Sequence, residues 1–138
     1  MPTSKDLTES VVEGATLDWL KELGYSVLHG PLIVVGENTA GRAPNYRDTI
    51  LDGRLQQALA RLNRELPPEA LDDAHRKLVK VDAPSLIERN CAAHRMLVNG
   101  VTVEYRRNDG SIAGAQVCII DFENPDSNDW LAISQFTV

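Results

Sequence analysis

The sequence predicts an α+β domain, and three observations predict it. An amphipathic stretch at 8–25 closes on a glycine, the middle of the chain repeats three-and-four apolar spacings between prolines, and the last third alternates around an Asp-Gly turn. The 138 residues suit a single domain, and that length can bury a real core. Hydrophobic content of 43% and charged content of 25% place the chain among folded, soluble domains rather than disordered segments.

The first stretch, TESVVEGATLDWLKELGY, is expected to form one helix around which the rest is organised. Val12, Ala15, Thr16, Trp19, Leu20 and Leu23 recur at helical spacing and form its expected buried face. Thr8 or Ser10 can cap the start, and Ser10 with Glu13 fits a capping box. Gly24 supplies a left-handed residue at the end, after which Tyr25, Val27 and Leu28 begin a strand. Glu9 and Glu13 lie four residues apart and project the same way. Two readings of these acids stand side by side. They stabilise the positive end of the helix dipole, or a rigid helix presents one of them to a hard divalent cation.

Two apolar runs, Val27-Leu28 and Leu32 to Val35, follow, broken by Gly30-Pro31, and a Gly/Asn/Pro-rich loop spans Gly36 to Asn45. Gly36 to Ala43 has the glycine frame of a phosphate loop. Arg42 stands where the lysine belongs, Ala43 where the magnesium-binding hydroxyl belongs, and Pro44 follows, so the match is a decoy. From Arg47 to Asn63 the pattern is helical, with Ile50, Leu51, Leu55, Ala58, Leu59 and Leu62 facing inward. A second helix of this middle region starts at Pro68, whose fixed φ suits a first turn, and runs to about Val79. A third starts near Pro84 and ends at Gly100, with Leu86, Ile87, Ala93 and Leu97 on one side. VTVEYRR and AQVCIIDF then flank Asn108-Asp109-Gly110-Ser111, a hairpin signal. An acidic connection, Asp121 to Asp129, leads to a final strand from Trp130 to Val138.

Several function classes fall away on composition. A formal net charge of −6 argues against general nucleic-acid binding through the overall field. The two cysteines, Cys91 and Cys118, form no zinc or disulfide framework, and an aromatic content of 5% is too thin for a base-stacking platform. The N-terminus lacks an apolar signal core and no run is long enough to cross a bilayer, so a cytoplasmic location is expected. His29, His75 and His94 are scattered, and no serine has a nucleophile-elbow context. Asp121, Glu123, Asp126 and Asp129 lack the glycine and terminal glutamate of a calcium loop and read as a polar turn. Arg47, Arg54, Arg61 and Arg64 form a stripe beside the apolar face of the middle helix. It is either a row of phosphate contacts or a solvated edge whose stems cover leucines.

The ordered blocks TESVVE, LDWLKELGY and VLHG at 8–30, NYRDTILDGRLQQALARLN at 45–63, LPPEAL at 66–71, VNGVTVEYRRNDGS at 98–111, IIDFENPDSND at 119–129 and LAISQFTV at 131–138 carry a resemblance. Together they resemble the N-terminal domain of the restriction subunit of type I restriction-modification enzymes, over essentially the whole chain. Ser134 departs from the asparagine more usual in that family. The resemblance implies an incomplete restriction-endonuclease-like core of the PD-(D/E)xK kind within one domain at 1–138. A three-helix insertion would occupy about 47–99 and a β region about 101–138. It implies that Glu13 first, and Glu9 second, positions a magnesium ion beside the scissile phosphate, because Glu13 precedes Gly24 by the family's helix spacing. The family's Asp and Glu-x-Lys follow the Gln-Phe strand, so the metal's main ligands are expected beyond Val138 and the chain alone is expected to be inactive. Asn124-Pro125-Asp126 is not followed by a Glu-x-Lys and reads as a turn. DNA is the implied partner, with Arg47, Arg54 and Arg61 as candidate contacts, alongside modification and specificity subunits. ATP belongs to motor domains downstream. The rival expectation is a non-catalytic docking module that binds a partner subunit or the DNA backbone.

Overall fold

A computed structural model describes residues 8–32 and 49–136. The phosphate-loop decoy, most of the Leu32 to Val35 run and Arg47 lie outside the described residues.

The chain opens with helix α1 (Glu9–Glu22) and strand β1 (Ser26–His29). At the join, Gly24 takes φ +94°; its N–H donates to the Lys21 carbonyl, and the Tyr25 N–H donates to the Leu20 carbonyl. These two bonds satisfy the last carbonyls of the helix and turn the chain back, as the sequence predicts for a glycine at this place. The predicted capping box does not form here. Thr8 is the N-cap, without a side-chain cap bond, and its hydroxyl meets that of Ser10 at 3.0 Å. The helix starts two residues too early for Ser10 to stand at its end, so Ser10 and Glu13 are both interior.

Helices α2 (Asp52–Leu62), α3 (Pro68–Val79) and α4 (Leu86–Asn99) follow. Helix α3 has the predicted bounds, with Pro68 in the first turn where no N–H is missed. Helix α2 is shorter than the predicted 47–63. It starts at Asp52, whose carboxylate accepts from Gln56 and pairs with His75 of α3. An acid at that first turn suits the helix dipole. Helix α4 has the capping box that α1 lacks: the Glu88 N–H donates to the Ser85 hydroxyl at 3.2 Å, and the Ser85 N–H donates to the Glu88 carboxylate at 3.1 Å.

Strands β2 (Val101–Arg106) and β3 (Ile112–Val117) make the predicted antiparallel hairpin, with Val101 opposite Val117 and Val103 opposite Ala115. At its turn the Asp109 carboxylate accepts from the Ser111 hydroxyl at 2.6 Å and the Ser111 N–H at 2.9 Å. These bonds, the hydroxyl first, hold the carboxyl below its usual range. Strand β4 (Leu131–Ser134) is shorter than the predicted 130–138 and pairs in parallel with β1, from Ser26 opposite Leu131 to His29 opposite Ser134.

The core lies between α2, α3 and the hairpin. Leu59, Ala70, Ala74, Val101, Val103 and Val117 are buried together there, with Leu55, Leu71, Leu78, Met96 and Ile119 packed around them. Alternation puts Val101 and Val103 on the hairpin face that meets α3, and two alanines on α3 let helix and sheet approach closely. Two apolar faces depart from expectation. Val12, Trp19 and Leu23 of α1 are 52%, 65% and 75% exposed, and the stripe turned inward is Glu13, Leu17 and Leu20. On α4, Leu86, Ile87 and Leu97 are exposed, whereas Ala92, Ala93 and Met96 are half-buried. Leu20 and Ala93 keep their predicted half-buried places, while the rest of each predicted face is turned out, because tertiary packing selects a neighbouring stripe that also satisfies the helical period.

Candidate functional site

Helix α1 packs on β1 and β4, the two strands of the parallel sheet. Leu17 and Leu20 are half-buried, and helical spacing places Glu13 one turn before Leu17 on the same stripe. Glu13 is half-buried there, while Glu9, in the first turn, is exposed. The sheet-facing acid is therefore Glu13.

The two ends of this unit can be matched by rise. From Glu22 back to Glu13 the helix climbs about 14 Å, and from Ser26 to His29 the strand climbs about 10 Å. Helix and strand run in opposite directions across the short turn at 23–25. By these rises alone, Glu13 and the end of β1 lie at similar distances along the chain from the turn. At the ends of β1 and β4, His29 Nδ1 and Ser134 Oγ lie 3.0 Å apart. One residue further, Gly30 is buried against the backbone of the other strand's exit. A Cβ there would run into the Gln135 carbonyl and sit 2.8 Å from Phe136 Cα. Gln135 has φ +51°, the left-handed value that a side chain disfavours. Among the described residues it is the non-glycine with positive φ. Sequence reading missed this group. Gly30-Pro31 shows only as a chain breaker, and His29 meets Ser134 across 105 residues.

Of the stripe's described arginines, Arg54 and Arg61 have partners within the chain, whereas Arg64 is exposed. Arg54 pairs with Asp129, and Arg61 Nε donates to the Ser127 carbonyl at 3.0 Å. Both bonds fasten the acidic connection to α2. That connection is a polar turn: the Asp121 carboxylate accepts from the N–H groups of Glu123 and Asn124, and Asn128 bonds both the N–H and the carbonyl of Asp121. Helix α2 packs on α3, so these two arginines and Glu13 belong to different packing units.

The described residues do not by themselves fit a magnesium ion. Such an ion takes six oxygens in a near-octahedral set, and among the described residues no three His, Cys, Asp or Glu side chains gather closely enough to hold a metal. A cleft of about 550 Å³ between α3 and β2 is lined by Glu69, Asp73, Arg76, Lys77, Thr102 and Glu104. Asp73 pairs there with Arg76 at 3.3 Å and Lys77 at 2.9 Å, so both cations of the cleft are engaged by one carboxylate. Cys118, just after β3, is half-buried. Burial, then Asp121 and Glu65, push its pKa up, and its Sγ–H donates to the Ile120 carbonyl. Among the described residues no helix is long and apolar enough to cross a membrane.

No solved structure matches the chain. Two relatives do. A chain assigned as the MjaIXP type I restriction enzyme endonuclease subunit of Methanocaldococcus jannaschii is 35% identical over 128 residues, 93% of this chain and 12% of that one. The type I restriction enzyme HindI endonuclease subunit of Haemophilus influenzae is 30% identical over 132 residues, 96% of this chain and 12% of that one. The chain therefore spans about one eighth of the length of the curated relatives it matches. The family model described as the type I restriction enzyme R protein N terminus matches residues 6–138. With its helix, hairpin and parallel strand pair falling inside that match, the chain belongs to the family of type I restriction enzyme R protein N termini.

Proposed function

We propose that this chain is the front part of the nuclease domain of a type I restriction subunit, within a single domain whose core is of the PD-(D/E)xK kind. In this reading α1, β1 and β4 belong to the nuclease core, and α2, α3 and α4 form an insertion beside it. The complete enzyme cuts DNA in the cytoplasm, with modification and specificity subunits as partners and ATP consumed by motor domains elsewhere in the subunit. Glu13 supplies one carboxylate to a magnesium site whose other ligands come from outside the described residues. The bound metal supplies charge neutralisation at the phosphate and an activated water. The observation that carries this reading is the position of Glu13. It is the half-buried acid of α1, the helix that packs against both strands of the parallel pair.

The test is made in the complete restriction subunit, assembled with its partners. Glu13→Ala is expected to abolish magnesium-dependent DNA cleavage while ATP hydrolysis continues, and Glu13→Gln to behave alike because it removes the charge. The chain by itself is expected to leave plasmid DNA intact in the presence of magnesium. Wild-type cleavage by the Glu13→Ala subunit would remove the acid from the site and the reading with it.

A further inference from the structure

We propose that His29 and Ser134, at the paired ends of β1 and β4, hold a phosphate of the DNA strand beside the Glu13 carboxylate. The inference rests on the nuclease reading above and adds a substrate contact to it.

His29 and Ser134 are the last pair of the parallel ladder, opposite one another and on one face with Val27 and Ala132. In open sheets of parallel strands, ligands settle outside the carboxyl ends of the strands. The 3.0 Å contact between His29 Nδ1 and Ser134 Oγ fixes the ring. When the serine hydroxyl donates to Nδ1, the ring proton sits on Nε2, which then presents an N–H donor. Among the described residues Nε2 has no protein partner, and the His29 side chain is exposed. If the ring gains a second proton, Ser134 becomes the acceptor and Nε2 still donates. The couple thus offers an Nε2 N–H when the serine hydroxyl donates to a neutral ring and when the ring is protonated, whereas a neutral ring with its proton on Nδ1 leaves Nε2 an acceptor.

Electrostatics gives that donor a purpose. The chain carries a net charge of −6, and Glu9 and Glu13 both lie in the N-terminal half of α1, the helix that packs on β1 and β4. A phosphodiester approaching Glu13 meets like charge, so a fixed donor close by is what lets it stay. The backbone next to the couple is held rigidly: Gly30 crowds the Gln135 carbonyl, and Gln135 is kept in the left-handed region. Unfavourable backbone that the surrounding structure enforces tends to gather where ligands are gripped. A serine nucleophile activated by His29 is a poorer account. Among the described residues no carboxylate orients the ring's other nitrogen, which the triad arrangement requires.

The experiment uses the complete subunit in its assembly, with duplex DNA as the probe. It reads the DNA Kd by fluorescence anisotropy and the KM and kcat of cleavage. Losing one hydrogen bond to a charged group predicts that His29→Ala raises Kd and KM about tenfold with kcat within about twofold. Ser134→Ala is expected to raise both about threefold, since the ring is loosened but retained. His29→Gln, which keeps an N–H donor, should restore most of the loss. Glu13→Gln should instead lower kcat, so the two roles separate. Unchanged Kd and KM in His29→Ala, or a fall in kcat alone, overturns the phosphate contact and leaves the role of Glu13 standing. Each variant is melted beside the parent. If His29→Ala unfolds, Ser134→Ala and His29→Gln decide the matter by the same two constants.

Discussion

Asn63 is the buried polar side chain of the core, 2% exposed, and a substitution there gives the sharpest energetic test of the packing. It follows the last turn of α2 and bonds three backbone groups. Its Nδ2 donates to the Leu59 carbonyl and to the Cys118 carbonyl, both at 2.9 Å, and its Oδ1 accepts from the Cys118 N–H at 2.7 Å. Two of these bonds clamp both polar groups of one residue at the exit of β3. Asn63→Ala leaves a half-buried N–H and a half-buried carbonyl without those partners, at about 1–2 kcal/mol each, so the expected loss is about 2–4 kcal/mol. Total stability for a domain is about 5–15 kcal/mol, so this one side chain carries a large share. Asn63→Asp is expected to be no better, because it keeps the acceptor for the N–H but turns a carboxylate oxygen toward the Cys118 carbonyl. Urea unfolding of the chain followed by circular dichroism measures the loss, read as a lower midpoint at constant slope. A loss below about 0.5 kcal/mol, the range of ordinary surface substitutions, would refute the clamp.

Two further outcomes follow from particular contacts. Gly30→Ala places a methyl group against the Gln135 carbonyl and is expected to cost about 2 kcal/mol or more. Hydrogen exchange should then show lost protection in β1 and β4 but not in the β2–β3 hairpin; uniform protection would mean that the close approach is not needed. Cys91 is exposed, whereas the Cys118 thiol is pushed up by burial and by Asp121 and Glu65. Because the thiolate is the reacting species, iodoacetamide should label Cys91 first at mildly alkaline pH, with Cys118 following only as pH rises further. Peptide mass spectrometry checks the order, and equal rates would count against the buried setting of Cys118.

Features fixed by neighbours in sequence were legible in it. The bounds of α3 follow from Pro68 and a local apolar period, and the hairpin follows from Asp109-Gly110 between alternating runs. The membership of the family was legible from ordered blocks of residues. What depended on distant partners was not. The capping motif S-x-x-E occurs at Ser10 and at Ser85, and only Ser85, held extended after Pro84, stands where a helix begins. The inward stripe of α1 holds a glutamate where the exposed stripe holds valine and tryptophan, so a count of apolar residues selects the wrong side. The parallel pairing of β1 with β4, and with it the meeting of His29 and Ser134, has no local signature at all.

The arginines of α2 connect these two levels. Read along the sequence, Arg54 and Arg61 suit a row of phosphate contacts as well as a structural edge. In the fold, both reach the connection between β3 and β4: Arg54 through Asp129, Arg61 through the Ser127 carbonyl. That connection is already held by Asn128, and Trp130 Nε1 donates to the Pro125 carbonyl at 3.0 Å. The Trp130 ring lies against Tyr25, with centroids 5.6 Å apart, and Tyr25 is the residue that precedes β1. A continuous set of contacts therefore runs from the core helix α2, through the acidic turn, to the first paired residues of β1 and β4. The exposed ion pair adds little energy by itself, since both side chains remain nearly one-third exposed and solvent screens them. It ties the connection that leads into β4 to α2. A one-residue slip of β4 would turn Ser134 to the other face and part it from His29. Helix α2 thus holds, through Arg54 and Arg61, the connection that leads into β4.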